Sequence, residues 1–574
     1  MTGIAVGKRR HWLKNRGRSY SRAESALCAV LLVIVGALVL LPLGYLLYGA
    51  LRDSPPRTPN AGYTWANLVE IYGSLHFAQP FLTTLAIGIS VGIGSAILGV
   101  LLAWIITRLD IPRPGLWEKL LTLPIYFSPL MLALAFTALG APRVGFLNLI
   151  WKTLGGDGSA VSVYSFSGIV FVLCVHYAPY AMLVLAAPMR SISAELEEAA
   201  RVLGSSRWHL MRTVTIPMLR PAIFSVVLIV GTLAAENFAV PTLLGRQSKI
   251  STIPGEIYFW LTYEPSNPNL AAAAGTLLLL VTISGIFVYR YMTRMSGRFV
   301  TITGKPKLIP RLPLGKWRSA ITGLLAFYLA ITTILPIAAL IFGSFMPYIG
   351  QHIDFNKLTL HNYQAALQGE NYSAIIHSLF LAVVSATLIT LLGFLVSYII
   401  RRTSVPGRGL LDYLSALPIA IPGMVLGVGM VWAYVIAPFG LWGSIWILLI
   451  AYMARFIVHA VRAINASLLQ VSGEMDEAAR VLGAGIFRRL RQITMPLTMR
   501  TLLSSWVLVA IFVLNELSAT ILLYSSKSIT LSVLTWNALD MYGAMQAFAF
   551  SVIQGCMTAI LVWVSYRLSG KATW

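Results

Sequence analysis

The seven residues EAARVLG stand at positions 198–204 and recur unchanged at positions 477–483. In both copies, nine further residues separate the glycine from a short apolar stretch that ends in a proline, Pro217 in the first copy and Pro496 in the second. The pattern predicts a helix with a small apolar face, a glycine that permits a left-handed turn, and a second helix that leads to the proline. The duplication indicates that the chain consists of two related halves.

A second match extends the duplication beyond these loops. Residues 103–125 pair with residues 397–419 at an offset of 294, whereas the EAARVLG copies lie 279 residues apart. A longer outer loop near residues 143–164 of the first half absorbs the difference. Each half carries the same even number of apolar segments, so both halves keep one orientation. The sequence therefore predicts two parallel repeats, related by an axis along the membrane normal.

The composition places these repeats in a membrane. The 574 residues are 57% hydrophobic and only 11% charged, and the mean hydropathy is +0.77, whereas a soluble domain carries about 25% charged residues. A membrane-spanning helix needs about 20 mostly apolar residues. Segments that meet this requirement lie at residues 25–51, 81–106, 120–140, 166–188, 222–244, 269–289, 319–346, 375–400, 411–436, 440–461, 501–524 and 545–566. We therefore expect an all-α polytopic membrane protein with about 12 transmembrane helices in two parallel six-helix repeats.

The basic residues indicate the orientation of the chain. The formal net charge is +23, from 43 Lys and Arg against 20 Asp and Glu, and the basic residues concentrate at the amino terminus and in alternate loops. Basic loops stay on the cytoplasmic side of a bacterial inner membrane, so we expect a multi-pass protein with both termini in the cytoplasm. Because membrane topology explains the excess positive charge, the lipid bilayer is a predicted partner and nucleic acid is not.

These patterns divide the chain into two six-span repeats with basic segments before and between them. The predicted units are a cytoplasmic amino terminus (1–24), a first repeat (25–292) with its EAARVLG loop (189–220), a cytoplasmic linker (293–318), and a second repeat (319–574) with its loop (464–500). One such loop could simply join two spans. Two copies on the same side of the membrane favour the docking of paired partners.

Two carboxylates lie within the apolar segments that follow the loops. At the offset of 279, Glu236 aligns with Asn515, and Asn237 aligns with Glu516. An ionisable residue at this depth costs about 2.5–3.5 kcal/mol on insertion scales, so it should face a polar pathway or a partner. Two interpretations follow. The four residues hold spans together by hydrogen bonds between helices, or they line a translocation pathway and favour a cation.

Other chemistry-bearing residues form no recognisable site in the sequence. The three cysteines lack metal-ligand spacing, and His176, His377 and His459 do not cluster, so neither a metal site nor a cofactor is predicted in this chain. No nucleophile and base converge in the loops, so no catalytic residue is predicted. A phosphate-binding GxxxxGK(S/T) loop is also missing, so the chain is not expected to hydrolyse ATP itself.

At the EAARVLG loops the sequence resembles the permeases of binding-protein-dependent ABC importers, whose EAA motif with a following glycine is the family signature. The resemblance covers nearly the whole chain, once in each half, and implies the MetI-like permease fold. In that family the loop is a coupling helix that docks on an ATPase subunit. The resemblance implies this role for Glu198, Ala199, Ala200, Gly204, Pro217, Glu477, Ala478, Ala479, Gly483 and Pro496. It also implies two cytoplasmic ABC ATPase subunits, which bind ATP and Mg, and a periplasmic substrate-binding protein as partners.

The linker resembles that of the fused iron(III)-type permeases, in residues 296–305 and 314–318. This resemblance implies a permease that moves ferric iron from the binding protein to the cytoplasm by alternating access. Related fused permeases are assigned to 2-aminoethylphosphonate or thiamine, and a polyamine is a further alternative. A rival from another class is an ion-gradient-driven secondary transporter, in which Glu236 and Glu516 would bind a coupling proton.

Overall fold

The structure of the protein is a computed structural model. It describes residues 21–191, 209, 211–295, 311–348, 355–436 and 440–569. Across these residues the regular secondary structure is helical, and two isolated β-bridges are present in place of any strand.

The first half begins with a long apolar helix. Ser21 and Glu24 form a reciprocal hydrogen-bonded cap at the start of this helix, which satisfies amide groups that a helix start otherwise leaves unpaired. The described α-helices of this half are α1 (Arg22–Ala50), α2 (Ala66–Gly73), α3 (Leu75–Arg108), α4 (Pro114–Leu121), α5 (Pro129–Gly140), α6 (Phe146–Thr153), α7 (Phe166–Ser191), α8 (Ile216–Ala235), α9 (Ala239–Gly245), α10 (Ile253–Thr262) and α11 (Pro268–Met295).

The second half repeats this order. Its described α-helices are α12 (Trp317–Leu329), α13 (Leu335–Ser344), α14 (His361–Ala366), α15 (Gly369–Arg402), α16 (Arg408–Ala416), α17 (Gly423–Ile436), α18 (Ile445–Gln470), α19 (Glu474–Val481), α20 (Ile486–Arg489), α21 (Met495–Leu514), α22 (Thr520–Leu523), α23 (Leu531–Met541) and α24 (Ala544–Ser569). A π-helical turn joins α12 to α13, so the two form one long helix.

The helices of the two halves correspond at the offsets found in the sequence. Helices α3 and α15 have 34 residues each and lie 294 positions apart. Helices α8 and α21 have 20 residues each and lie 279 positions apart, and a π-helical turn precedes both. The predicted all-α fold of two parallel six-helix repeats is therefore confirmed.

The predicted number of spans is also confirmed, but two of the spans are not single helices. Ten helices are long and apolar enough to cross a membrane, and two further helix pairs are bent by 96° and 109°. The bends fall within the predicted spans 120–140 and 411–436, so each of these spans consists of two helix segments. Ser128 and Ile421 adopt extended backbone conformations, because each precedes a proline that excludes the helical conformation before it.

The first helix of each half packs against the other half. Helix α1 contacts α16 and α17, and α13 contacts α5. Gly429 of α17 lies so close to the Pro42 carbonyl of α1 that a Cβ atom there would clash. Small residues permit such close backbone approach between membrane helices. The exchange of first helices ties the two repeats into one bundle.

Two ends of the bundle are distinguished below. The loop side is the end that holds Glu24 and residues 474–489, and the far side is the opposite end. Helices α8 and α21 start next to the loops, and 20 residues make a helix about 30 Å long. Both helices therefore run from the loop side to the far side.

Candidate transport pathway and coupling site

Helices α8 and α21 both end at a break on the far side. After α8, the Asn237 side chain accepts a hydrogen bond from the Val240 amide at 3.1 Å. After α21, the Glu516 carboxylate accepts one from the Ala519 amide at 2.8 Å. Asn237 and Glu516 are equivalent in the repeat, so the same position caps the restarted chain in both halves. The predicted spans 222–244 and 501–524 therefore each contain a break in the helix.

A single arginine joins the carboxylates of the two halves. The Nη2 atom of Arg455, on α18, lies 3.8 Å from the Glu236 carboxylate, and its Nε atom lies 3.3 Å from the Glu516 carboxylate. The side chains of Arg455 and Glu236 are each 17% exposed, and that of Glu516 is 6% exposed. We call Glu236, Arg455 and Glu516 the far-side triad. With all three groups ionised, it carries a net charge of −1.

The far-side triad depends on the bend before α17. The guanidinium of Arg455 occupies the space that a Cβ atom at Gly423 would fill. Gly423 is the first residue of α17 and follows the bend directly. The glycine therefore leaves room for the arginine between the halves.

Sequence reasoning missed Arg455. The available signal was a lone arginine within an apolar span, which is costly unless a partner or a polar pathway compensates it. At the offset of 279 Arg455 corresponds to His176, a buried residue whose ring packs edge-on against Tyr177 with the centroids 4.7 Å apart. Within the described segments, no three His, Cys, Asp or Glu side chains lie together as possible metal ligands.

Asn515, the residue before Glu516, makes hydrogen bonds beside the far-side triad. Its Nδ2 donates to the Tyr126 carbonyl of the first half at 3.2 Å, and its Oδ1 accepts from the Gln554 amide at 3.2 Å. The structure therefore brings Glu236, Asn515 and Glu516 to one place between the halves, and the adjacent Asn237 bonds to the Val240 amide and to Tyr177. Both sequence interpretations of these four residues stay predictions.

An aromatic layer lies beside these breaks and also crosses between the halves. Trp536 donates a hydrogen bond to the Tyr258 hydroxyl at 3.1 Å, and the Phe238 and Trp536 ring centroids are 4.8 Å apart. Burial raises the pKa of Tyr258 to about 12, so its hydroxyl stays protonated at neutral pH. An ion pair of 2.7 Å between Arg246 and Asp540 flanks the layer. In this conformation three sets of contacts hold the far side of the two halves together.

The second EAARVLG copy forms a helix that projects from the loop side. Glu477 and Ala478 are exposed on α19, Ala479 is half-buried, and Gly483 ends the helix in a left-handed turn with φ of +79°. Pro496 lies at the start of α21. Three apolar side chains nearby are largely exposed to solvent, namely Val481, Leu482 and Phe487, with exposed fractions of 87%, 87% and 74%.

The first EAARVLG copy lies outside the described residues, and this applies to Glu198, Ala199, Ala200 and Gly204. Pro217 is described and lies at the start of α8, as Pro496 does at the start of α21. The helix that follows each loop therefore begins in the same way in both halves.

A second group of charges lies on the loop side. Arg489 pairs with Glu24 at 2.6 Å and with Asp476 at 3.0 Å. The Tyr398 hydroxyl donates to the Asp476 carboxylate at 3.2 Å. We call Glu24, Asp476 and Arg489 the loop-side clasp. Its contacts join residues as far apart as positions 24 and 489, and sequence reasoning did not anticipate it.

Comparison with known proteins identifies the family. The sequence pattern of the "Binding-protein-dependent transport system inner membrane component" matches twice, at residues 95–297 and 389–570. The chain belongs to this family. Each match contains one EAARVLG copy. As such an inner membrane component, the chain is a multi-pass ABC importer permease and not the ATPase subunit of the system.

Similar permeases are named for different substrates. A ferric transport system permease protein of Actinobacillus pleuropneumoniae is 28% identical over 511 residues, which cover 87% of this chain and 73% of the relative. A putative ferric transport system permease protein of Haemophilus influenzae is 29% identical over 445 residues, which cover 76% and 69%. A putative 2-aminoethylphosphonate transport system permease protein of Salmonella paratyphi A is 26% identical over 213 residues, which cover 37% and 80%.

Proposed function

We propose that this permease moves ferric iron from a periplasmic binding protein to the cytoplasm in an ATP-driven importer. Two ferric transport permeases align over more than two thirds of both chains, whereas the similarity to the 2-aminoethylphosphonate permease spans one third of this chain. The observation that carries the proposal is the far-side triad. It places two carboxylates, one from each half, against one arginine, so with all three groups ionised the pathway carries an excess negative charge that favours a cation.

The coupling loops provide the docking sites for two ATPase subunits in this proposal. Glu477 offers a charge, and Val481, Leu482 and Phe487 offer exposed apolar surface of the kind buried in protein interfaces. The partner subunits, and not this chain, bind ATP and Mg. Because α8 and α21 begin next to the loops and end at the far-side breaks, a displacement of the loops reaches the far-side triad through two helices.

Transport then follows from a change in the relative stability of two states. The loop side faces the cytoplasm together with both termini, and the loaded binding protein docks on the far side. ATP binding favours the state in which the ATPase subunits close, because ATP binds that state better. Closure separates the halves on the far side and releases Glu236 from Arg455. Hydrolysis restores the contacts across the far side and opens the path to the cytoplasm.

The alternative functions differ in the substrate and in the partners that they require. The same importer could carry 2-aminoethylphosphonate, thiamine or a polyamine, and of these the polyamine is a cation that a negative pathway also favours. A secondary transporter would need no partner at the two loops and would use Glu236 and Glu516 to bind a coupling proton. The duplicated loops and the family match support the importer over this second class.

Uptake of radiolabelled ferric iron by cells that lack the gene tests the proposal. Wild type should restore uptake, and excess thiamine, aminoethylphosphonate or spermidine should not compete. The double variant Glu198→Lys/Glu477→Lys should insert normally but abolish uptake, because charge reversal in both loops prevents ATPase docking. Charge reversal at the exposed Arg401 on the loop side serves as the control. Wild-type uptake by the double variant would contradict the coupling role, and competition by one compound would reassign the substrate.

A further inference from the structure

The loop-side clasp joins the second coupling helix to the first helix of the chain. Arg489 lies just after the α19 turn and contacts Asp476 within α19 and Glu24 in the first turn of α1. Glu24 is itself fixed, because its second carboxylate oxygen accepts the Ser21 amide of the α1 cap at 3.0 Å. The guanidinium therefore bridges a coupling loop of the second half and the first helix of the first half.

All three members of the loop-side clasp are buried. The side chains of Glu24, Arg489 and Asp476 are 1%, 3% and 8% exposed. Removal of the arginine from such a group leaves two buried carboxylates without compensation, which is strongly unfavourable. Paired contacts of a guanidinium with carboxylates also fix geometry, because the planar group presents its N–H donors in set directions. The loop-side clasp therefore acts as a rigid joint rather than as a loose attraction.

The joint reaches much of the bundle through α1. Beyond Glu24, this helix packs against α16 and α17 of the second half and against α11 of the first half. A displacement of α19 that preserves the clasp must therefore move α1, and with it helices of both halves. Tyr398 adds a fourth anchor, because its hydroxyl connects Asp476 to α15.

The first half does not carry the same set of residues. At the offset of 279, Leu210 stands at the position of Arg489, and Glu197 stands at the position of Asp476. At the offset of 294, Trp104 stands at the position of Tyr398 and Arg318 at that of Glu24. The repeat therefore preserves the EAARVLG heptapeptide but not the arginine that joins it to the other half.

We propose that Arg489 is a positioning residue for coupling, which makes the two loops unequal. Through the clasp with Asp476 and Glu24, it converts displacement of the second coupling helix into joint movement of α1 and both halves. This role rests on the proposed docking of ATPase subunits at the loops. It requires no contact between Arg489 and the ATPase, since the side chain is buried.

The ratio of cargo moved to ATP hydrolysed tests this role. The complete importer in lipid vesicles is supplied with iron-loaded binding protein, and uptake and hydrolysis are measured in the same preparation. Glu24→Gln breaks the charged tie to α1 but leaves the Arg489 pair with Asp476, so the importer should assemble. Its transport per ATP should fall about tenfold, within the range known for coupling mutations. The transport per ATP of Arg489→Met should fall at least as far. That of Arg489→Lys, which keeps the charge, should lie between the values of Arg489→Met and wild type.

The matched control is Arg401→Met, which removes one exposed charge at the loop-side end of α15. Its ratio should equal that of wild type. Unchanged ratios in both Glu24→Gln and Arg489→Met would overturn the inference. Parallel loss of uptake and hydrolysis would also overturn it, because that result indicates only a structural role. A wild-type importer that recruits no ATPase would instead refute the proposed function itself.

Discussion

The far-side triad and the loop-side clasp have nearly the same composition and very different geometry. Each places one arginine between two carboxylates, and each joins the two halves of the chain. In the far-side triad the pair distances are 3.8 and 3.3 Å and two side chains are 17% exposed. In the loop-side clasp they are 2.6 and 3.0 Å and no side chain exceeds 8% exposure. The difference fits the two proposed roles, a contact that opens during transport and a contact that persists.

The energetic reason lies in solvation. A long ion pair with partial access to water gains little free energy from its attraction. Its members can therefore separate at a small cost in free energy and bind water or a passing cation instead. A short pair in a buried network gains hydrogen bonds to charged groups, and neither member has water to return to. The same residue types therefore suit a gate on one side of the membrane and a joint on the other.

The largest expected effect is on stability, at the loop-side clasp. Arg489→Met leaves two buried carboxylates without a counter-charge, so it should lower the free energy of unfolding by about 3–5 kcal/mol. Thermal unfolding of the purified permease in detergent measures this change against the exposed-site variant Arg401→Met. A melting temperature equal to that of the control would show that the clasp is not a buried joint.

A smaller stability effect and a large functional effect are expected at the far-side triad. Arg455→Met should cost about 1–3 kcal/mol, between the limits for surface and buried pairs, because water reaches Glu236. Iron uptake should nevertheless fall about tenfold or more, since two uncompensated carboxylates face each other when the halves close. Arg455→Lys, which retains the charge, should preserve most of the uptake. If Arg455→Met destabilises the permease as strongly as Arg489→Met, the distinction between gate and joint fails.

The smallest effect is expected at the Arg246–Asp540 pair. Its side chains are 58% and 45% exposed, so Arg246→Gln should change the free energy of unfolding by less than about 1 kcal/mol. Uptake should stay within about twofold of wild type at moderate salt, where solvent-exposed charges are screened. Parallel measurements of melting temperature and uptake over a salt series test this expectation. A loss of uptake as large as that of Arg455→Met would show that the Arg246–Asp540 pair, and not the far-side triad, is the contact that controls transport.

The repeat in the sequence made the fold predictable. The candidate site was only partly predictable, because some of its residues are not repeated. The offsets of 294 and 279 in the sequence place α3 with α15 and α8 with α21, since each pair repeats the same apolar pattern. The prolines within 120–140 and 411–436 indicated a kink or a break, but hydropathy could not place the bends, because the apolar character continues through these prolines. Hydropathy measures composition along the chain and does not register where a backbone turns.

Some of the candidate functional residues could be predicted from the sequence, and others could not. Glu236 and Glu516 stood out because a carboxylate is conspicuous within an apolar span. Arg455 and Arg489 join the two halves through contacts with Glu236 and Glu24, which lie more than 200 and 400 positions away, and no local pattern records such pairs. The domain boundaries and the coupling roles of both EAARVLG copies stay predictions.

The exchange of first helices has a consequence for the order in which the protein is made. Helix α1 leaves the ribosome first, but its packing partners α16 and α17 are synthesised more than 350 residues later. Until then, the surface of α1 at Gly36 and Pro42, which meets Leu414 and Gly429 in the final bundle, must rest against lipid or an insertion factor. An isolated first half could enter the membrane yet never complete its own packing. The fusion of both halves into one polypeptide guarantees that the late partners arrive at the same site as the early helix.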